Sequence, residues 1–144
     1  MTLTLHQLLF RTFHAQNNVL QPLREELGLG RGQPKMLTYL ADHGPSSQGA
    51  MANHFDIDPA AVSRMAETLS QNGFLTRTED EGDRRSKRLE LTAKGQNAAE
   101  IWKERCASME SRMLDGFSEE EKSELVRLLN RLYLNVRNGG LERG

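Results

Sequence analysis

Ser47 to Thr92 reads SQGAMANHFDIDPAAVSRMAETLSQNGFLTRTEDEGDRRSKRLELT, and the fold can be read outward from it. Asp58 can accept backbone N–H bonds as an N-cap, and Pro59 suits the first helical position. Gly73 can take the left-handed conformation just past a helix end. These ends predict a helix over 59–72. Within it Val62, Met65, Ala66 and Leu69 recur at i, i+3, i+4 and i+7, a stripe that packs inward. Pro59, Ala60, Ser63, Arg64, Glu67 and Gln71 are left for the outer face. Upstream, Ser47 can cap a helix running to about His54 that packs Ala50, Met51 and Ala52, and Asp56 occupies a tight turn where positive φ is wanted. Helix, turn and second helix form the unit that presents a helix N-terminus to a DNA major groove.

After Gly73 the period changes. Residues 74–78 (FLTRT) and 87–91 (KRLEL) read as strands, joined by the polar, Gly-containing tip 79–86. Arg84, Arg85, Lys87 and Arg88 put four cations within five residues of one ribbon. They can reach phosphates or lie in a narrow minor groove, whose negative potential favours guanidinium. The expected class is mainly α with a small β-wing, a winged helix-turn-helix.

The order of second helix, NGFLTR strand, DRR wing and LELTAKG junction resembles the MarR family of bacterial transcription regulators. That family carries a wing Asp-x-Arg, then a strand and Leu-Thr-x-x-Gly; here these are Asp83, Arg85, Leu91, Thr92 and Gly95. GQPKMLTYLADHGPSSQGAMA is similar to its preceding helices, so the likeness covers nearly the whole chain. It implies a homodimer on a palindromic double-stranded operator, with half-sites about 34 Å apart if one turn separates them. The candidate DNA-binding residues are Ser47, Gln48, Pro59, Ala60, Ala61, Ser63, Arg64, Arg84, Arg85 and Lys87. Arg64 is expected at or near bases and Arg85 in the minor groove. Ala60 and Ala61 stand where hydroxyl side chains are frequent in the family, which shifts part of base reading toward thymine methyls. The resemblance also implies a repressor released by a small organic effector, often an aromatic acid, in a cleft between the winged region and the dimer helices. The alternatives are a constitutive DNA binder without effector and a winged-helix protein-interaction module.

The bounds agree. A chain of 144 residues, 37% hydrophobic and 27% charged, suits one domain with a modest core. Nineteen Lys and Arg against twenty Asp and Glu give a net charge of -1. DNA binding must then be local, through Arg64, Arg77 and the wing, with Glu79, Asp80 and Glu81 discouraging unspecific phosphate contact. MTLTLHQLLFRTF lacks the basic start and apolar run of a signal peptide, and no apolar run approaches about 18 residues, so a cytoplasmic protein without membrane spans is expected. The one cysteine, Cys106, rules out an internal disulfide and shares an apolar stripe with Trp102 and Met109, where a thiol is inert. Peroxide-sensing relatives carry a reactive cysteine on the first helix, where this chain has Phe10, Phe13 and His14. His6, His14, His43 and His54 are scattered without ligand spacing, so neither metal nor cofactor is expected. Phosphate-loop, nucleophile-elbow and His-Glu-x-x-His motifs are missing, which argues against an enzyme.

Flanking the winged region, expected over 30–92, are helices over 1–27 and 93–138. Leu5, Leu8, Leu9, Phe13, Leu20, Leu23 and Leu27 give helical spacing at the N-terminus, and Pro22 predicts a kink near Val19 or two abutting helices. Gln33 to His43 reads as a compact helix with Met36, Leu37, Tyr39 and Leu40 inward. In the last third Ala98, Trp102, Cys106, Met109 and Met113 make one stripe. Gly116 and Phe117 break it, and Ser118 with Glu121 forms a capping box for a helix carrying Leu125, Leu128, Leu129, Leu132 and Val136. A two-fold partner could cover such faces. Gly28, Gly30, Gly32 and the Leu91-Thr92-Ala93 junction are the hinge candidates.

Overall fold

The computed structural model describes residues 2–139, with every side chain among them except those of Asp80, Asp83, Arg84, Arg85 and Ser86. The chain divides into two compact units, Met1–Met109 and Glu110–Gly144. Its elements are α1 (Leu5–Glu26), α2 (Gln33–His43), β1 (Ser46–Ser47), α3 (Gln48–Phe55), α4 (Pro59–Gln71), β2 (Leu75–Asp80), β3 (Asp83–Leu91), α5 (Ala93–Met113) and α6 (Glu119–Gly139).

The first unit is built around one core. Met36, Leu37, Met51, Val62, Ala66, Leu69, Leu89 and Ala99 are wholly buried, and Leu40, Phe74, Leu75 and Ala98 nearly so. These positions come from α2, α3, α4, both long strands and the start of α5, so the helix-turn-helix, wing and junction share a single apolar interior. Local chemistry sets the helix ends as expected. Ala50 N–H donates to Ser47 Oγ at 3.0 Å and Ala60 N–H to Asp58 Oδ1 at 3.2 Å, while Asp56 takes φ 54° in the turn between α3 and α4. Three expected core positions differ. Ala50 is exposed, because the eight-residue α3 buries only the side carrying Gln48, Met51 and Ala52. Met65 and Tyr39 are half-buried at the core margin.

Pro22 does not divide the first helix. α1 runs unbroken over 22 residues from a Thr4–Gln7 capping box. Proline removes only the bond to the residue 18 carbonyl, and Leu20 and Leu23 on either side of it are buried, so tertiary packing holds the turn together. The hairpin is longer than expected: its strands close to the two-residue turn Glu81-Gly82, with an irregular register at Glu79/Asp80. The backbone of Arg84 and Arg85 therefore belongs to β3 and not to a loop. A third strand, β1, pairs antiparallel with β3 through Ser46↔Leu89 and Ser47↔Arg88, giving the sheet order β1-β3-β2.

β3 leads into α5 through a tight crossing. Thr92 Oγ1 donates to Gly73 C=O at 2.6 Å and accepts from Gly95 N–H at 3.1 Å, while Thr92 N–H donates to Phe74 C=O at 3.1 Å. Gly95 is buried in that crossing. Lys103 of α5 also forms an ion pair with Asp42 of α2.

In the second unit α6 opens with reciprocal capping. Ser118 N–H donates to Glu121 Oε1 at 2.9 Å and Glu121 N–H to Ser118 Oγ at 3.1 Å. Arg127 grips Glu124 with two hydrogen bonds on the solvent face, which lowers the carboxyl pKa and raises that of the guanidinium. Leu125, Val126, Leu128, Leu129, Leu134 and Val136 of α6 are exposed in the single chain, as are Leu5, Leu8, Leu9, Phe10 and Phe13 of α1. No helix among the described residues is long and apolar enough to cross a membrane.

Candidate nucleic-acid interface

The inward stripe of α4 leaves Pro59, Ala60 and Arg64 exposed, with Ala61 and Ser63 half-buried. The Asp58 side chain and carbonyl take up the first N–H groups of the helix, those of Ala60, Ala61 and Val62, so its outer edge offers the Arg64 side chain and the half-buried Ser63 hydroxyl. Ser47 and Gln48 begin α3. Ser47 is half-buried with its hydroxyl engaged as the cap, and Gln48 is buried to 9% exposure.

One residue ties these positions together. Arg77 Nε and Nη2 donate to Gln48 Oε1 at 3.1 and 3.0 Å, and Nη2 also donates to Ser63 Oγ at 3.3 Å. The start of α3, the outer edge of α4 and the base of the wing thus meet in one hydrogen-bonded cluster. Arg77 was expected among the cations concentrated for local DNA binding; its guanidinium turns toward the helices. The sheet register explains why. Arg77 lies opposite Leu89 and two residues from Leu75, both buried, so it shares their face of the pleat. The same alternation puts Lys87 on this inner face, half-buried, and leaves Arg88 on the other face, exposed. The parity was present in the sequence as Leu75-x-Arg77; its partner Gln48, 29 residues away, was not. The side chains of Arg84 and Arg85 lie outside the described residues.

Elsewhere in this unit a cleft of about 530 Å³ opens between α1, α2 and α5, lined by Phe13, Leu20, Arg24, Arg31, Lys35 and Trp102 together with Asn and Gln side chains. No Asp or Glu lines it. Arg24 spends one donor on the Leu29 carbonyl at 3.3 Å. The histidines are less scattered than the sequence suggested. His43 stacks on Tyr39 at 4.2 Å and His54 lies 5.9 Å from His43, although among the described residues no group of three or more His, Cys, Asp or Glu is placed to hold a metal.

A capped two-helix unit, joined through a shared core to a three-stranded hairpin wing, defines a winged helix-turn-helix protein. Residues 29–87 match the MarR family. The HTH-type transcriptional repressor MdtR of Bacillus subtilis (strain 168) is 31% identical over 109 residues, 75% of this chain and 70% of that protein. Among solved structures, a MarR protein from Peptoclostridium difficile superposes with a TM-score of 0.90 at 23% identity, covering 96% of this chain and 91% of the other. A MarR-family regulator from Listeria monocytogenes, complexed with 26mer DNA, superposes at 0.87 and 22% identity, covering 100% and 99%. At those identities the two structures establish the shared fold. The chain belongs to the MarR family.

Proposed function

We propose that this MarR-type transcriptional regulator binds double-stranded DNA sequence-specifically as a homodimer and represses transcription until a small anionic effector releases it. The observation that carries the reading is the Arg77 cluster, in which the α3 start, the α4 edge and the wing base are joined within 3.3 Å. A helix end and a cationic ribbon held in one rigid unit suit simultaneous engagement of a major groove and the flanking minor groove. In this reading Pro59, Ala60, Ala61, Ser63 and Arg64 face the bases. Ser47 approaches the backbone at the α3 N-terminus with Gln48 beside it at the groove edge, and Arg84, Arg85 and Lys87 supply the wing. The Listeria regulator crystallised with 26mer DNA supports the mode, and the repressor name of the Bacillus relative supports the direction of control.

The dimer is supported by exposed large apolar side chains on α1 and α6, with Phe10 67% and Val136 72% exposed in the single chain. Faces of this kind need covering. Residues 30–92 then read DNA, while 1–27 and 93–138 assemble the pair. Effector control is supported by the cleft: aromatic walls at Phe13 and Trp102, three cations and no carboxylate favour a flat anion. A hundredfold loss of DNA affinity requires only about 2.7 kcal/mol of coupling between cleft and reading head. Selection of bound duplexes from a random pool tests the core of this reading, and a palindromic consensus is expected. Recovery of no enriched sequence would refute it. Titration of aromatic acids into the protein on its selected duplex tests release.

A further inference from the structure

Arg77 does more than brace the wing. A guanidinium carries only donors, so the atom of Gln48 that faces it must be the amide oxygen, which receives two hydrogen bonds. The amide NH2 is left pointing away from the cluster as the free end of that side chain. At Ser63 the hydroxyl oxygen accepts from Arg77, occupying a lone pair and leaving its O–H to donate outward. Among the described residues no carbonyl of α4 captures that proton, whereas Thr68, further along the same helix, donates its own to Arg64 C=O at 3.1 Å.

We propose that Arg77 is a positioning residue that sets sequence preference, by filling both lone pairs of the Gln48 amide oxygen so that this side chain is a donor only, with the Ser63 hydroxyl turned to donate beside it. This rests on the DNA reading above and deepens it. A Gln48 amide reduced to its NH2, beside a half-buried cation, recognises acceptors: phosphate oxygens, and in the major groove guanine O6 and N7, thymine O4 and adenine N7. It disfavours the exocyclic amino groups of adenine and cytosine. A glutamine with both ends free pairs bidentately with adenine through N6 and N7, and that mode is closed to Gln48 while Arg77 holds its oxygen. The base facing Gln48 is therefore one read through acceptors alone, guanine or thymine, and not adenine read through N6 and N7 together.

The test compares duplex selection and affinity for the wild type, R77M, S63A and the double variant, each first shown by thermal melting to be folded at the assay temperature. Wild type is expected to select guanine or thymine at the base facing Gln48, and R77M to lose that preference and admit adenine. S63A should weaken binding to the preferred duplex about tenfold in the wild type and less than about twofold in the R77M background. If R77M melts below the assay temperature, R77K carries the same comparison, since a single ammonium cannot reproduce the fork that spans both acceptors. A retained preference for guanine or thymine over adenine, with additive effects of the two substitutions, would overturn the inference. So would an unchanged preference with a salt slope about one unit smaller, which is the signature of a plain phosphate contact. If the wild type enriches no sequence, the DNA reading falls and this inference with it; enrichment that R77M leaves unchanged overturns the inference alone.

Discussion

Gly95→Ala isolates the crossing that joins the wing to α5. A Cβ built on Gly95 stands 1.9 Å from the Phe74 carbonyl oxygen, 3.0 Å from its carbon and 3.1 Å from Leu91 Cδ2. An acceptable C···O contact is about 3.3 Å, so α5 and the start of β2 must separate by roughly 1.4 Å. The obstruction is backbone, with no flexible side-chain end that could swing aside. Phe74 and Leu75 are each only 2% exposed, so that shift opens the core beside them. Overpacking of this kind costs about 1–3 kcal/mol. The Thr92 N–H to Phe74 C=O and Thr92 Oγ1 to Gly73 C=O bonds span the same gap, and weakening them adds about 1 kcal/mol each. Alanine returns up to about 1 kcal/mol of helix propensity. The net destabilisation is about 2–4 kcal/mol, which lowers the urea midpoint by roughly 1–2 M at ordinary slopes. Equilibrium unfolding at one fixed protein concentration measures it, with exposed Asn97→Ala on the same turn as the control. A Gly95→Ala midpoint indistinguishable from that control would refute the steric reasoning.

Three further outcomes follow from named contacts. Arg64→Ala is expected to weaken binding by about 1–3 kcal/mol mainly on the preferred duplex, whereas Arg85→Ala weakens many sequences and lowers the salt slope by about one unit; titrations at several salt concentrations separate the two. Leu129→Glu places a charge on the exposed apolar face of α6 and is expected to shift the protein from dimer to folded monomer in sedimentation at micromolar concentration, an assignment lost if the wild type already sediments as a monomer. Asp58→Ala removes the acceptor for Ala60 N–H and should lower stability by about 1 kcal/mol in denaturant titration; no change in midpoint would mean that the cap adds nothing to α4.

What could be read in advance was local. The limits of α2, the caps at Ser47, Asp58 and Ser118, the positive φ of Asp56 and the left-handed Gly73 each depend on residues within about four positions of one another, a range over which backbone sterics and side-chain to backbone hydrogen bonds decide. The 3.6-residue stripe of α4 likewise announced which side would be buried, and Val62, Ala66 and Leu69 are buried there. The DRR wing and the LTAKG junction added the family.

What the tertiary structure alone decided depends on distant partners. β1 has two residues, too few to show any period, and becomes a strand only because β3 lies beside it. Of the kink near Val19 or the two abutting helices that Pro22 announced by local rules, the second is overruled: the helix runs on through Pro22, with buried leucines on both sides. Gly95 was legible only as the last letter of the Leu-Thr-x-x-Gly motif; the need for a glycine there comes from the Phe74 carbonyl that the fold brings against it. Arg77 carried a charge that composition assigned to the solvent and DNA side. Pleat parity turned it inward, and only the packing of α3 against the wing supplied the Gln48 oxygen that it holds. Short-range chemistry is written in consecutive letters; a contact across 29 residues exists only once the core has closed around it.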